Sequence, residues 1–596
     1  MNKKQFRKAE QLMDRGLEKL DYFSYEKKYG KAAMLYQHPQ WLLLASATGF
    51  KGILYYNWYR STKEKKKLDL AQVAMKESLA IIEARTAEFG SEQAMASHRL
   101  RFELFFNAAV IMAMRQYEST QSEADFEQAF QASERHKNFV LRQGLNRQIL
   151  THQLEGERKV LLDKELAFQT KRRQLTQQLA SEQADQNQLI DEMLVLQKQE
   201  ADFYHDLKNS PSEWKQRYFI NRHDHSVPSL QDLREQFVDE RTALIEYHFS
   251  GATPVAFVLL KEEQFHIPFD LGEGFYQRLQ QTLDESIPLE NKVQLSENGH
   301  YLYQQMFQAI DERLPKQIEQ LIIVPDNLLR ALPFDLLLQT PTAAEVDIEK
   351  WPFLLHRYAI GYVYSTQTYL LAEQLKMANP ERPQYAFMGF NVSPNGNEQL
   401  EYYDGCSPLP LPELSRSSKA IADLFPRGQS KLFDQALKLD FVENAAEADV
   451  IYLAMHGCVD GRSPLDYGLQ FYDQNKGLFT INELLSTSIN ARLIVMGSCE
   501  TATEQLNQGE GIASIARAIR RAGGLNLLAS LDQVNDQFGA MIYRDFFEQW
   551  IVEKENSIEA LAKAKRAFLR NPNIRSGDKL PNKWASMISI GKPIYY

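Results

Sequence analysis

Two strand ends in this sequence carry residues able to do nucleophilic chemistry. Val450-Ile-Tyr-Leu-Ala-Met-His456-Gly457 places a histidine and a glycine directly behind an apolar run, and Leu493-Ile-Val-Met-Gly-Ser-Cys499-Glu500 places a cysteine behind another. A thiol is mostly protonated at neutral pH, and the thiolate is the nucleophile, so a neighbouring imidazole has to take or balance the proton. A tetrahedral intermediate then needs N–H donors aimed at its oxyanion. Gly457 has no side chain to keep its N–H at a distance, and the N–H of Cys499 is the natural second donor. Either residue alone has an ordinary reading: a His-Gly after a strand can be a satisfied turn, and a single cysteine is often a small buried hydrophobe. The pair at the ends of successive strands argues for a catalytic dyad. Cys458 is a weaker competitor for the nucleophile, because it shares a loop with His456, and Cys406 lies in a Gly-Ser-Pro loop.

Such a dyad needs a sheet that delivers both residues to one edge. Short, nearly all-apolar runs occur at Leu321-Ile-Ile-Val324, Tyr385-Ala-Phe-Met388, Val450 to Ala454, Leu493 to Met496 and Leu525-Asn-Leu-Leu-Ala529, with helical stretches such as Ile512 to Ala522 between them. Continuous apolar strands alternating with helices predict a mostly parallel sheet covered on both faces, with its site at the C-terminal strand ends. Ser250-Gly-Ala-Thr-Pro254, between two further apolar runs, signals a hairpin.

The first part of the chain is of another kind. Met75, Leu79 and Ile82 lie at helical spacing, a second helix runs through Leu104, Ala108, Ile111 and Met112, and Phe126, Ala129, Phe130 and Ser133 mark a third, with Ser122 as its cap. Antiparallel helices with short turns suggest tetratricopeptide-like repeats over residues 1–150, a plain helical bundle being the other reading. Residues 41–59 are apolar but interrupted by Gly49, Lys51 and Gly52, which reads as a buried helix pair rather than a membrane span. Leu154, Leu161, Phe168 and Leu175 recur every seven residues, and Leu189 and Leu196 resume the seam, predicting a long helix or helical hairpin over 151–212 as a spacer. The α/β domain is then expected over 228–596, with an N-terminal subdomain at 228–310 and a core at 311–596.

Composition sets limits on function. The chain has 596 residues, 44% hydrophobic and 24% charged, with a formal net charge of −10, which fits a globular protein and gives no reason to expect a nucleic-acid partner. The basic run Lys65-Lys66-Lys67 reads as a solvated helix face. Three cysteines without CxxC spacing make neither a disulfide framework nor a zinc site and fit a reducing, cytoplasmic location. The N-terminus carries no apolar run of the signal-peptide kind. With no Walker loop, no GxGxxG and no metal motif, no cofactor or metal is expected.

At these residues the sequence resembles the CHAT family, caspase-like peptidases found beside tetratricopeptide repeats. The resemblance covers roughly residues 230–596. It rests on Ile323-Val-Pro-Asp-Asn-Leu-Leu-Arg-Ala-Leu-Pro-Phe-Asp-Leu-Leu337, His356-Arg-Tyr-Ala-Ile-Gly-Tyr-Val-Tyr-Ser365, Leu453-Ala-Met-His456-Gly457 and Met496-Gly-Ser-Cys499-Glu500-Thr501. Gly509-Glu-Gly-Ile-Ala-Ser-Ile-Ala-Arg-Ala518, leading to Ala522-Gly523 and Ala529-Ser-Leu531, is its densest part. The separation of 43 residues between His456 and Cys499 is close to the roughly 50 of caspases. The resemblance implies a caspase-like α/β fold, His456 and Cys499 as the peptidase dyad, and a protein substrate. It also implies control by a partner protein bound to the helical repeats, in bacterial signalling, antiviral defence or cell death. A non-catalytic scaffold with a degenerate peptidase fold is the alternative. Where relatives tend to read Ser-Leu-Trp, this chain has Ser530-Leu-Asp532-Gln533, so Asp532, Gln533 and Glu500 are candidates for the substrate pocket while the P1 preference does not carry over. After Leu409-Pro-Leu-Pro412 the chain has Ser417-Ser418 where the family suggests an acidic residue.

Overall fold

The computed structural model describes the chain except residues 1–2, 30–39, 87–91, 140, most of 146–185, 213–226 apart from Lys215, 250–252, 284–291, 379–382, 393–410, 427–429, 434–435, 459–467, 473–477, 485–486, 498–514 and 533–534. The chain divides into two compact units, Met1–Ser229 and Leu230–Tyr596.

The first unit is helical. Its described helices include α1 (Lys3–Lys19), α2 (Tyr22–Tyr29), α3 (Trp41–Thr62), α4 (Lys65–Thr86), α5 (Glu92–Leu100), α6 (Glu103–Thr120), α7 (Glu123–His136) and α8 (Gln186–Asn209). The apolar stretch at 41–59 belongs to one continuous helix, α3, and not to a helix pair broken at its glycines. The glycines are sites of close approach: a Cβ at Gly49 would lie 2.6 Å from the Phe105 ring, and one at Gly52 would lie 3.1 Å from the Ala71 carbonyl oxygen. They let α6 and α4 pack close, and Leu44, Leu54 and Trp58 are buried in a core that these helices share with Phe6 of α1. No described helix is long and apolar enough to cross a membrane.

Both α3 and α6 stop at a residue in the left-handed region, Lys63 and Gln121, whose N–H bonds back to Tyr59 and Tyr117. Ser122 then caps α7, its hydroxyl accepting the N–H of Asp125, as the sequence led one to expect. Of the basic run, Lys67 lays its ammonium 3.5 Å from the Trp58 ring and pairs with Glu10 at 3.3 Å, whereas Lys65 and Lys66 stay in solvent. Within the seam at 154–196, Leu175 is buried against Leu189 and Leu196, and Phe168 meets Phe203 edge-on at 5.6 Å. These contacts join residues that one straight helix through the seam would hold apart.

The second unit is built on one sheet of eleven strands: β1 (Thr242–His248), β2 (Val255–Leu259), β3 (Gln264–Pro268), β4 (Gln320–Val324), β5 (Ala359–Tyr362), β6 (Tyr385–Asn391), β7 (Ser430–Phe433), β8 (Ala448–Ala454), β12 (Leu493–Met496), β13 (Asn526–Ser530) and β14 (Met587–Ile590). The remaining strands, β9 (Gly457–Cys458), β10 (Gly468–Gln470) and β11 (Leu478–Thr480), form a small antiparallel sheet. The large sheet runs β3-β2-β1-β4-β5-β14-β13-β12-β8-β6-β7. β1, β4, β5 and β14 are parallel to one another, and so are β13, β12, β8, β6 and β7, but β13 and β14 pair antiparallel. The two parallel halves therefore point opposite ways, and their C-terminal ends open on opposite rims.

The central strands β12 and β13 are buried at every residue, as continuous apolar runs require when both faces are covered. On the Tyr452 side lie α9 (Pro412–Ala422) and α11 (Asp536–Phe547): Ser417 Oγ is 3.3 Å from the Tyr452 hydroxyl, and the Tyr452 ring meets Tyr543. On the opposite side, α10 (Ile515–Arg521) approaches through Ile519, which faces Gly524 beside Ile494. α12 (Ser557–Arg570) covers Gly361 with Ile558, and its Lys565 makes a fully buried ion pair of 2.6 Å with Asp335.

In the first unit His98 is buried between Trp41 and Phe102, and its Nδ1 lies 2.8 Å from Thr86 Oγ1. The Thr86 hydroxyl already donates to the Ile82 carbonyl, so the ring donates to it through Nδ1–H. Burial, with Arg101 adding to it, pushes the ring's pKa down from 6.5 to about 4. A depressed folded pKa contributes stability that is whole above pH 6.5 and is lost as the pH falls toward 4. Denaturant unfolding of the chain between pH 7 and 4 should show this loss, with uptake of one proton on unfolding, and His98→Phe should flatten it.

Candidate functional site

The site is assembled from the ends of three adjacent parallel strands. β8 and β12 pair with Met496 opposite Leu453, and the next N–H along, that of Gly497, donates to the Leu453 carbonyl at 2.9 Å. The Tyr543 hydroxyl from α11 donates to the Met496 carbonyl at 3.0 Å and fixes the point at which β12 leaves the sheet. β13 follows in the same direction on the other side of β12. So the chain segments after Ala454, Met496 and Ser530 emerge on one rim.

His456, two residues past the end of β8, is 6% exposed. Its carbonyl accepts the Gln470 N–H at 2.9 Å, which makes it the first rung of the small sheet. In that sheet Gly457 stands opposite Leu469, and Cys458 opposite Gly468. Antiparallel partners alternate between hydrogen-bonded and non-hydrogen-bonded pairs. The bond at the Gln470–His456 rung makes Gly457–Leu469 a non-bonded pair and turns the Gly457 N–H away from β10. Among the described residues no strand covers that edge of β9. An N–H so directed is what an oxyanion donor requires.

Asp532 lies just beyond β13 on this rim, half-buried. Its N–H donates to Ser530 Oγ at 3.3 Å, and that hydroxyl donates to the Asp532 carbonyl at 2.6 Å, a tight turn that fixes the backbone. The structure thus brings His456, Gly457 and Asp532 to one rim. Cys499, Glu500 and Gln533 lie outside the described residues, Cys499 two positions past Gly497. Cys458 is 1% exposed and disulfide-bonded, so it is no free thiol, in contrast to the reduced cysteines that the sequence suggested. Cys406 lies outside the described residues. Among the described residues no group of three or more His, Cys, Asp or Glu side chains is placed to hold a metal ion.

Two supports of this rim escaped the sequence reading. Asp536, in the first turn of α11, accepts the N–H groups of Glu413 and Leu414 at 2.9 and 3.0 Å and so caps α9 from outside. A cap of this kind contributes about 1 kcal/mol. Asn535-Asp536 before an apolar helix is readable as that helix's own cap; that it also caps another helix is a tertiary fact with no local signal. Ser417 and Ser418, where an acidic residue was expected, are both buried. Ser418 donates to Asn391 Oδ1, and Ser417 touches Tyr452, which ties α9 to β6 and β8. A carboxylate there would be buried beside the Asn391 carbonyl oxygen, so the hydroxyls suit this packing.

Comparison with known proteins bears on the α/β unit. The CHAT domain family matches residues 296–592. The sequence has no significant match among curated proteins. Among solved structures, the separase–securin complex of Saccharomyces cerevisiae aligns at 11% identity and a TM-score of 0.39, over 96% of this chain and 48% of that one, so this chain spans about half of its length. The Arg-specific cysteine proteinase gingipain R aligns at 11% identity and a TM-score of 0.31, over 54% of this chain and 74% of that one. The pro- and mature domains of RgpB from Porphyromonas gingivalis align at 10% identity and a TM-score of 0.29, over 54% and 77%.

The small sheet can be tested apart from any activity. A Cβ on Gly468 would lie 2.3 Å from the Phe479 carbonyl oxygen, so β10 and β11 cannot keep their spacing with an alanine there. Gly468→Ala should cost about 1–3 kcal/mol in unfolding experiments. It should also raise hydrogen exchange at Gln470, whose N–H holds the His456 carbonyl; unchanged exchange there would show that β10 does not anchor His456.

Proposed function

This chain belongs to the CHAT family through its domain at residues 296–592, and from that premise we propose that it is a caspase-like cysteine endopeptidase with Cys499 as nucleophile and His456 as base. One observation carries the proposal: His456 leaves β8 on the rim at which β12, the neighbouring parallel strand, leads through Gly497 to Cys499.

The chemistry follows from the residues. His456 takes the Cys499 proton, and the thiolate attacks the scissile carbonyl carbon to form a C–S bond. The oxyanion is met by the Gly457 N–H, turned away from its ladder, and by the N–H of Cys499. His456, now protonated, gives its proton to the departing amine as the C–N bond breaks. Water, deprotonated by the same imidazole, then hydrolyses the thioester. Asp532 stands at the end of the strand beyond β12, and we assign it, with Gln533 and Glu500, to the substrate pocket. An acidic side chain there favours a basic residue in the substrate.

The helical unit is the part we assign to regulation by a protein partner, in signalling or defence. What supports this is the apolar surface it leaves bare: Leu42, Leu43, Phe50 and Leu104 are 43%, 57%, 48% and 57% exposed. Phe50 also meets Phe105 edge-on at 5.2 Å, so part of this exposed apolar surface lies where α3 and α6 meet.

A peptidyl electrophile of the acyloxymethyl ketone type tests the dyad. It should modify Cys499 in the wild-type chain, as read by peptide mass spectrometry. Cys499→Ala should abolish labelling, and His456→Ala should slow it by about 10²-fold or more. Both variants should unfold at the wild-type temperature. Labelling that is indifferent to His456 would leave a scaffold with a degenerate peptidase fold as the better reading. With Cys499→Ala as a trap, a captured protein cleaved by the wild type alone would identify the substrate.

A further inference from the structure

The rim opposite His456 holds a buried charge that the peptidase chemistry does not use. β5 ends on that rim and leads through Tyr364 and Ser365 into a helix of 13 residues, Thr366–Ala378. β13 begins on the same rim at Asn526, shortly after α10. Arg520, in the last turn of α10, is 2% exposed, and among the described residues its Nη1 and Nη2 have no hydrogen-bond partner. A buried guanidinium is costly unless its charge is paired and its N–H groups are bonded. Burial pulls the pKa of Arg520 below the usual arginine value, and the groups that act against this are the phenols of Tyr369 and Tyr364. The centre of the Tyr369 ring lies 5.6 Å from the guanidinium carbon, which offers the charge a π face but no acceptor for the N–H groups. The acids farther along the helix are committed elsewhere. Glu373 holds Lys592 at 2.8 and 3.0 Å, and Asp449, which faces Lys376, holds Arg492 at 2.6 Å.

Tyr369 is in the first turn of the helix Thr366–Ala378, and Tyr364 lies just ahead of it, so the guanidinium stands against the start of that helix. The first turn has no acidic residue to offset the positive end of the helix dipole. Ser365 caps it: its hydroxyl accepts the Thr368 N–H at 3.2 Å, and the Thr368 hydroxyl donates to the Ser365 carbonyl at 3.1 Å. Ser365, Thr366 and Thr368 are fully buried. An uncompensated helix start and an unpaired guanidinium thus share one buried place, and both favour negative charge.

We propose that Arg520 and the first turn of the helix Thr366–Ala378 form a buried site for one small oxyanion, a phosphate or a carboxylate group. The fork of Nη1 and Nη2 matches two oxygens on one centre, which a halide does not present. Bound there, the ion ties α10, which leads into β13, to the helix that follows β5. It braces the sheet from both sides of the antiparallel β13–β14 junction. The proposal is independent of the dyad and needs no peptidase activity.

Equilibrium dialysis of the full chain, first freed of oxyanions, tests the site with labelled phosphate in one arm and labelled acetate in the other. At least one should be retained at about one ion per chain, and an equal concentration of chloride should not displace it. The arm that binds more tightly identifies the group. Arg520→Lys keeps the charge but loses the fork, and it should weaken binding at least about tenfold. Arg520→Leu removes an unpaired buried charge, so without oxyanion it should melt no lower than the wild type, and the ion should raise the melting temperature of the wild type alone. The N–H groups of Ala522 and Gly524 close the end of α10 on the Ala518 and Ile519 carbonyls, and the ion should slow their hydrogen exchange in the wild type only. A wild-type chain that retains neither ion, leaving water alone at Arg520, would overturn the proposal without recourse to a variant. Displacement by chloride would overturn it too, as would undiminished binding by Arg520→Lys.

Discussion

The pairing of β8 with β12 is the constraint from which the rest of the site follows. From Val450 to Ala454 and from Leu493 to Met496 the two strands are buried at every residue and carry no charged side chain before the rim. Their parallel register sends both chains out on the same side, and the Gly497 N–H bond to Leu453 extends that register one residue past the end of β12. A slip of one residue would exchange the faces of every side chain in the strand, which a sheet covered on both sides does not tolerate. The supports around the rim serve this register. The Tyr543 hydroxyl holds the last carbonyl of β12, Asp536 caps the helix packed against Tyr452, and the Ser417 and Ser418 hydroxyls bind that helix to the strands beneath.

The antiparallel junction of β13 and β14 determines which residues can belong to the site. Because the two halves of the sheet run opposite ways, the ends of β1 and β4, with the buried His248 and Asp326, face the rim opposite to His456. Their histidine and acid follow apolar strands just as His456 does, so by sequence pattern alone they look like a second candidate. Only the topology separates them. It also places Asp532 beside the start of β14, where Ser530 Oγ approaches Ser586 Oγ at 3.3 Å.

The sequence made the α/β unit legible where burial is complete and local, and less so where position depends on distant partners. The apolar runs at β4, β6, β8, β12 and β13 could be read directly. β14 could not, because four residues near the end of the chain give no hint that they insert between β5 and β13. In the helical unit the Ser122 cap was readable because a cap is a local motif. Gly49 and Gly52 misled, because a glycine that breaks a helix and one that lets another helix approach look alike until the neighbour is known. The cysteine count likewise suggested reduced thiols, since spacing along the chain does not reveal which sulfurs meet in space. At the candidate site, type and order single out His456 and Gly457, while the orientation of the Gly457 N–H follows only from the β10 pairing.

That pairing explains how residues 456–458 can be held firmly and still have groups left for chemistry. An isolated loop would leave the histidine's backbone mobile, and a full ladder on both sides would use every N–H. Among the described residues β9 has one partner strand, so its bonds to it alternate between those used and those turned outward. The His456 carbonyl is committed to Gln470, which fixes the chain that carries the imidazole. Gly457 lies on the alternate rung, where its N–H remains unspent by β10 and no side chain keeps an oxyanion away. Cys458 returns to the bonded rung and is held again. Among the described residues the ladder thus holds the His456 carbonyl and leaves the Gly457 N–H directed outward one residue later.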